Sequence, residues 1–425
     1  MIIRHEVGVP GLKRVLILLF SLLPASLILL SCGYSSPSSS GTGSGLKYRA
    51  FITNSVPPAG AYIVNAQTDV RPAIAPIFAG NTPGMMVLTP NRTLTLVFSG
   101  NGTQFSDNQL TVINNATESA AGSIALPGFT ESIVVSPDGS AAYAAIPTAA
   151  VVGQSPGVVK AISLSSGTFT GEVDVPSVHY LAIDNTGNRI LGFSDNSDSV
   201  AVITPSQIGI GNAVTPVCCF ARPVAAFFSS DDTTAYVVNC GAECGGTQAS
   251  ARASVQTLDL TTNPPTPGIP VPVPAATVAL VNNSTMYLAG TPLPAVSCTV
   301  QQVQTTCGEL TTFDLASMQV VGSPVSITDG YHNRIALGAN GRLFIGARTC
   351  SQALCLSIYN TQTGAVVIPP ATGDVTSIEP IAKRTVVYVI QNNSLGIYDT
   401  ATDKLQPLQI TNLIGQFVDV KVVDF

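Results

Sequence analysis

The chain has 425 residues, a formal net charge of −6, only 10% charged residues, no Trp, and 37 Gly with 30 Pro. Few charges and many turn formers exclude helical bundles and coiled coils and suit β-sheets. The negative balance excludes general nucleic-acid binding, which needs a basic face.

Residues 1–31 read as a signal peptide outside the fold. Arg4, Lys13 and Arg14 make a basic start. Val15 to Leu30 is apolar, but short for a membrane span and broken by Pro24. The run Leu29-Leu30-Ser31-Cys32 resembles the lipobox of bacterial lipoproteins, with Leu at −3, a small residue at −1 and Cys at +1. That resemblance implies cleavage before Cys32 and acyl chains on its sulfur and new amino group. Each buried CH₂ contributes roughly 0.8 kcal/mol, so several chains hold where one slips off. Residues 32–46 then form the lipidated Cys and a Ser/Gly tether, and 47–425 the globular domain. The expected partner of the anchor is the membrane, and the expected location is extracytoplasmic, on the bacterial envelope. Gly33, rather than Asp, follows the Cys; among Gram-negative lipoproteins that resemblance favours the outer membrane.

From Tyr48 onward a short apolar strand with an aromatic residue or Leu at its centre recurs eight times. The markers are Phe51, Leu96, Tyr143, Leu191, Tyr236, Tyr287, Phe344 and Tyr388, spaced 44 to 57 residues apart. This period, in an all-strand pattern, predicts an all-β fold: a β-propeller with one four-stranded antiparallel blade per repeat. A propeller also evades the single-core limit of about 250–300 residues, because each blade packs mainly on its neighbours.

Each repeat reads as strands a, b, c and d from the channel outward. Strand a is apolar and ends at a turn, as in IVVSPDG from Ile133 and LAIDNTG from Leu181. Strand b carries the marker. Strand d is short and often Pro-bearing, as in Thr266 to Pro274, which suits an edge. Strands b, c and d occur eight times, but strand a only seven times before the end. The last residues, Gly415 to Phe425, supply an alternating strand that is expected to complete the first blade and close the ring. Eight blades is the favoured count; seven follows if the repeat around Leu96 or Leu191 is degenerate.

The segments SPDGSAAYAA, TTAYVVN, VVYVIQNNSLGIYDTATDK and LSIYNTQTG resemble the YVTN family of β-propeller repeats. Preceded by a lipobox, such chains are also called beta-propeller repeat lipoproteins. The resemblance implies fold and extracytoplasmic location, and no single activity.

Eight cysteines follow Cys32, an even number suited to disulfides in an exported chain. Cys240/Cys244, Cys298/Cys307 and Cys350/Cys355 each lie in or beside one b–c loop and each can staple its own hairpin. Cys218 and Cys219 form either a vicinal pair or partnerships with Cys240 and Cys244. Zinc is disfavoured, since the closely spaced pairs fall on different blades without a nearby His.

Residues just before strand a approach the channel mouth. Glu131, His179, Tyr180, Arg222, His332, Asn333 and Arg334 are polar there while the following strands are apolar, so the mouth is the candidate ligand site. No GxSxG, HExxH or Gly-rich phosphate loop occurs, and no cofactor or metal is expected. Asp195-Asn-Ser-Asp198 reads as a polar turn, since EF-hand spacing fails. The function expected is a monomeric binding or scaffold module at the envelope, with a protein, glycan or small molecule as ligand. The alternative is a propeller enzyme, a lactonase-like hydrolase or an oxidoreductase, with Glu131 and Glu379 as inward acids at the mouth.

Overall fold

The computed structural model describes residues 43–101, 107–247, 251–300, 303–407, 409–410 and 412–424. The signal segment, Cys32 and the tether as far as residue 42 lie outside the described residues.

The eight repeats fold into eight antiparallel sheets arranged as the blades of a propeller. Blade 2 consists of β3 (Pro83–Leu88), β4 (Leu94–Ser99), β5 (Gln109–Asn114) and β6 (Ser119–Ala125). Blade 3 follows with β7 (Ser132–Val135), β8 (Ala141–Ile146), β9 (Val158–Ser163) and β10 (Thr168–Asp174). Blade 4 holds β11 (Val178–Ile183), β12 (Ile190–Ser194), β13 (Val200–Ile203) and β14 (Val214–Val217). The repeats around Leu96 and Leu191 are therefore complete blades. Blade 5 runs through β15 (Pro223–Phe228), β16 (Thr234–Asn239) and β17 (Ser254–Asp259) to an outer edge made of two pieces, β18 (Thr266–Pro267) and β19 (Val271–Pro272). Both pieces carry Pro, which has no N–H to offer a ladder.

Blade 6 departs from a plain four-strand pattern. Between β21 (Thr285–Gly290) and the rest of the blade, β22 (Val296–Val300) pairs with the first half of a 12-residue β23 (Val303–Asp314). The sequence reads as a loop there, yet its Val and Thr alternation favours a strand, and Cys298 pairs with Cys307 across the hairpin. β20 (Val278–Asn282) and β24 (Gln319–Thr328) complete the blade.

Blade 7 comprises β25 (Tyr331–Leu337), β26 (Arg342–Arg348), β27 (Leu356–Asn360) and β28 (Val366–Val367). Blade 8 comprises β29 (Val375–Pro380), β30 (Val386–Gln391), β31 (Ser394–Asp399) and β32 (Lys404–Leu405). Blade 1 joins the two ends of the domain. β1 (Arg49–Asn54) pairs with β2 (Gly60–Asn65) on one side and with the C-terminal β33 (Phe417–Val422) on the other. A bridge between Ala61 and Ile77 marks its outer edge. All eight marker residues lie on strand b of their blades.

Local chemistry sets the c–d turns. In six blades strand c ends at Asn or Asp, and that side chain accepts the N–H two residues on: Asn65, Asn114, Asp259, Asp314, Asn360 and Asp399. This is the Asx turn, in which the side chain mimics a backbone turn.

Burial follows from the two-residue period of a strand, which sends alternate side chains to opposite faces. Leu96 and Phe98 pack towards blade 3, whereas Val97 between them packs towards blade 1. Repeated round the ring, this gives eight apolar clusters, each between two adjacent blades. The domain thus has a chain of small cores in place of one large one.

Candidate functional site

In a four-stranded blade the d–a connections and the b–c loops share one face. A cavity of about 380 Å³ opens on the ring axis at that face, and all eight blades line it. Its apolar wall includes Met85, Phe98, Phe129, Val224, Val278 and Val418, and its polar groups include Glu131, Tyr180, Tyr331, Asn333, Arg334 and Arg348. A second cavity of about 270 Å³ adjoins it and shares Tyr180, Val224 and Tyr331; His179, Asp195, Arg222 and Glu243 line it.

A repeated backbone device builds this mouth. In six blades the pairing of strand a with strand b slips by one residue near the channel face. Such a β-bulge leaves an extra residue unpaired and re-aims its side chain. The extra residue is His179 in blade 4, Val224 in blade 5, Asn333 in blade 7 and Thr376 in blade 8. In blade 2 it falls within Gly84–Met85, and in blade 1 within Val418–Asp419. Each of these positions lines one of the two cavities.

The bulges sort the residues anticipated at the mouth. Glu131, Tyr180, Asn333 and Arg334 line the larger cavity, and His179, Tyr180 and Arg222 the smaller. His332 goes elsewhere. It precedes the bulge in blade 7, so it takes the inward-facing position that Val178 takes in blade 4, and it is fully buried. Its Nε2 donates to the Thr328 carbonyl at 2.9 Å, and burial pushes its pKa down to about 4.

His179 sits between two carboxylates. Nδ1 lies 2.9 Å from Asp195 Oδ2, and Nε2 lies 2.9 Å from Glu131 Oε2. Both ring nitrogens face acceptors, so both carry protons and the ring is an imidazolium. Burial alone would lower its pKa, but the hydrogen bonds to Glu131 and Asp195 outweigh it and the net shift is upward. Those same contacts hold Glu131 below the usual carboxylate range: the His179 hydrogen bond first, against burial, with help from Arg348. The imidazolium stacks on Tyr180 at 4.4 Å between ring centroids. Tyr180 and Tyr331 both line this space, and burial raises the pKa of each, so they stand as neutral hydroxyls.

Arg348 donates from Nε (2.7 Å) and Nη2 (3.0 Å) to the Asn333 side-chain oxygen, in the amide orientation that satisfies both groups. Arg334 donates from Nε to the Thr376 carbonyl (2.6 Å) and from Nη1 to the Asn333 carbonyl (2.8 Å). Deeper along the axis, Asp419 accepts from the Met86 N–H (2.7 Å) and the Ser377 hydroxyl (2.6 Å). Lys421 lies 3.7 Å from Glu379 and 3.8 Å from Asp419. Glu379 is thus tied to Lys421 and to the Val422 N–H.

Three contributors were not singled out from sequence. Tyr331 opens strand a and Arg348 ends strand b of blade 7; the signal available was a charged residue ending the otherwise apolar run LFIGAR. Glu243 lies in the b–c loop of blade 5, which Cys240 and Cys244 staple, and it accepts the Thr291 N–H of blade 6 at 2.8 Å. Burial raises its pKa to about 8. Cys350 pairs with Cys355, and Cys218 with Cys219. Asp198, in the polar turn, sits 3.7 Å from Arg222. Among the described residues no group of three or more His, Cys, Asp or Glu side chains is placed to hold a metal.

Fold and site together define an eight-bladed β-propeller with a ligand-sized mouth. No family model matches the chain, and no curated protein matches it by sequence. Solved structures share the fold. Hydrazine synthase of Kuenenia stuttgartiensis aligns with a TM-score of 0.54 at 15% identity, over 76% of this chain and 96% of that one. The dihydro-heme d1 dehydrogenase NirN, in complex with DHE, aligns with a TM-score of 0.60 at 11% identity, over 88% of this chain and 75% of that one. A eukaryotic initiation factor aligns with a TM-score of 0.53 at 11% identity, over 90% and 99%. At these identities the likeness is one of fold.

Proposed function

We propose that this chain is a lipid-anchored, extracytoplasmic propeller of the YVTN-repeat type that binds a small ligand in its mouth. The lipobox-like Leu29-Leu30-Ser31-Cys32, the Ser/Gly tether and the paired cysteines support the anchored, exported setting. The observation that favours binding over catalysis is the state of His179. A general base needs a free nitrogen lone pair, and both nitrogens of His179 are committed as donors to Glu131 and Asp195. The ring serves as a rigid, charged strut for the mouth. Around it lies a concave, largely apolar cavity with a few convergent polar groups, the usual form of a small-molecule site.

The anchor is tested by fatty-acid labelling in cells. Wild type should incorporate label and Cys32→Ser should not; equal labelling of both would end the lipoprotein reading. The binding role is tested with Val224→Phe, which places a large ring where the two cavities meet. A small-molecule extract of the producing cells should raise the melting temperature of the wild type. A ligand at a hundredfold its Kd stabilises by about 2.7 kcal/mol. The variant should melt like the wild type alone and gain nothing from the extract. An equal gain in both proteins would move the ligand away from the mouth.

A further inference from the structure

We infer that the ligand of the mouth is a singly charged carboxylate on an apolar body, with its head group on Arg334 and Arg348. This rests on the mouth being a binding site and names the chemistry it takes. Arg334 lies deep in the channel, and its two hydrogen bonds go to backbone carbonyls. Its Nη2 meets no protein acceptor among the described residues, and it lines the larger cavity. A guanidinium drawn from water without a hydrogen-bonded counter-charge is costly and is normally offset by an anion. Arg348 lines the same cavity, bonded to Asn333 and 3.7 Å from Glu131.

The nearby carboxylates are already engaged. Glu131 is held by His179, and Asp419 by Met86, Ser377 and Lys421. They also set the charge the site accepts. A phosphate dianion would face Glu131 and Asp419, whereas a carboxylate matches the planar edge of a guanidinium with one charge. Tyr180 and Tyr331, half-buried and with neutral hydroxyls, line the same space. Beside this head-group site, Met85, Phe98, Phe129 and Val278 offer a surface for a hydrocarbon chain.

Calorimetric titration with octanoate, octanamide and octyl phosphate tests this. Octanoate should bind the wild type at least about 30-fold more tightly than octanamide, and more tightly than octyl phosphate. Arg334→Gln should weaken octanoate by a similar factor and leave octanamide within about twofold. Arg348→Gln, at a more exposed position, should weaken octanoate about tenfold and serves if Arg334→Gln fails to fold. Octanamide binding as tightly as octanoate would overturn the carboxylate assignment and leave the mouth as a binding site, as would preference for octyl phosphate. Failure of all three compounds, with the extract still stabilising wild type and not Val224→Phe, would likewise overturn the assignment alone. Failure of the extract as well would overturn both.

Discussion

Glu243 shows how one side chain couples the mouth to pH. It reaches from the stapled loop of blade 5 to the Thr291 N–H of blade 6, and burial raises its pKa from 4.5 to about 8. Between those values the unfolded chain has released a proton that the folded chain still holds. Stability from this group therefore falls as pH rises from about 4.5 to about 8, and is flat below and above. Glu243→Gln keeps an acceptor for Thr291 and has nothing to ionise. The variant should be more stable than wild type by about 2 kcal/mol at pH 7.5, after discounting for partial exposure, and equal to it at pH 4. Urea unfolding at both pH values measures this. An identical difference at the two values would mean that ionisation of Glu243 is not its source. His179 and His332 give the complementary lesson. Both precede apolar strand-a runs and look equivalent in sequence, yet the bulge falls on His179 in blade 4 and on Asn333 in blade 7. One residue of offset sends His179 to the mouth and His332 into the interior, because strand faces alternate with every residue.

At the scale of the strand, legibility divides along the same line. The b and c strands and their marker residues were readable because each repeats a local pattern: apolar alternation about an aromatic or Leu centre. The blades around Leu96 and Leu191 were also there to be read, each from its central marker and, in blade 4, from the Asn-Thr-Gly turn after strand a. The bulges were not readable. A bulge is a property of the pairing between two strands, and no residue type in strand a marks it: the extra residue is His, Val, Asn or Thr in four different blades. The site was therefore legible as a region, through the polar residues at the tops of strands, but not as a set of directions. The hairpin of β22 and β23 was missed for a related reason. Long b–c connections suggest loops by their length, while the Val/Thr alternation between Val296 and Thr306 carries a strand that the fold extends beyond the ring.

The whole molecule depends on its ends meeting. β33 gives blade 1 its innermost strand and carries Val418 and Asp419 into the mouth. Phe417, Val420 and Val422 are buried between blades 1 and 8. Arg49 clamps the junction, donating to Asp424 from Nε (2.8 Å) and Nη2 (2.7 Å), while its backbone N–H reaches the same carboxylate at 2.7 Å. The hydrogen bonds to Asp424 raise the Arg49 pKa, against burial, so the clamp stays charged. Eight interfaces need eight blades, and the last strand supplies Phe417, Val420 and Val422 to the interface of blades 1 and 8, which Arg384 also bridges to Asp69. Deleting Gly415 to Phe425 and following thermal unfolding together with oligomeric state tests this most directly. Three buried apolar side chains contribute roughly 1.5–3 kcal/mol each, so the loss should reach several kcal/mol. The freed edge of β1 should also promote self-association. Adding back the peptide spanning 415–425 should restore both the melting temperature and the monomer. A truncated chain that melts with wild type, remains monomeric and ignores the peptide would contradict closure of the ring by its C-terminal strand.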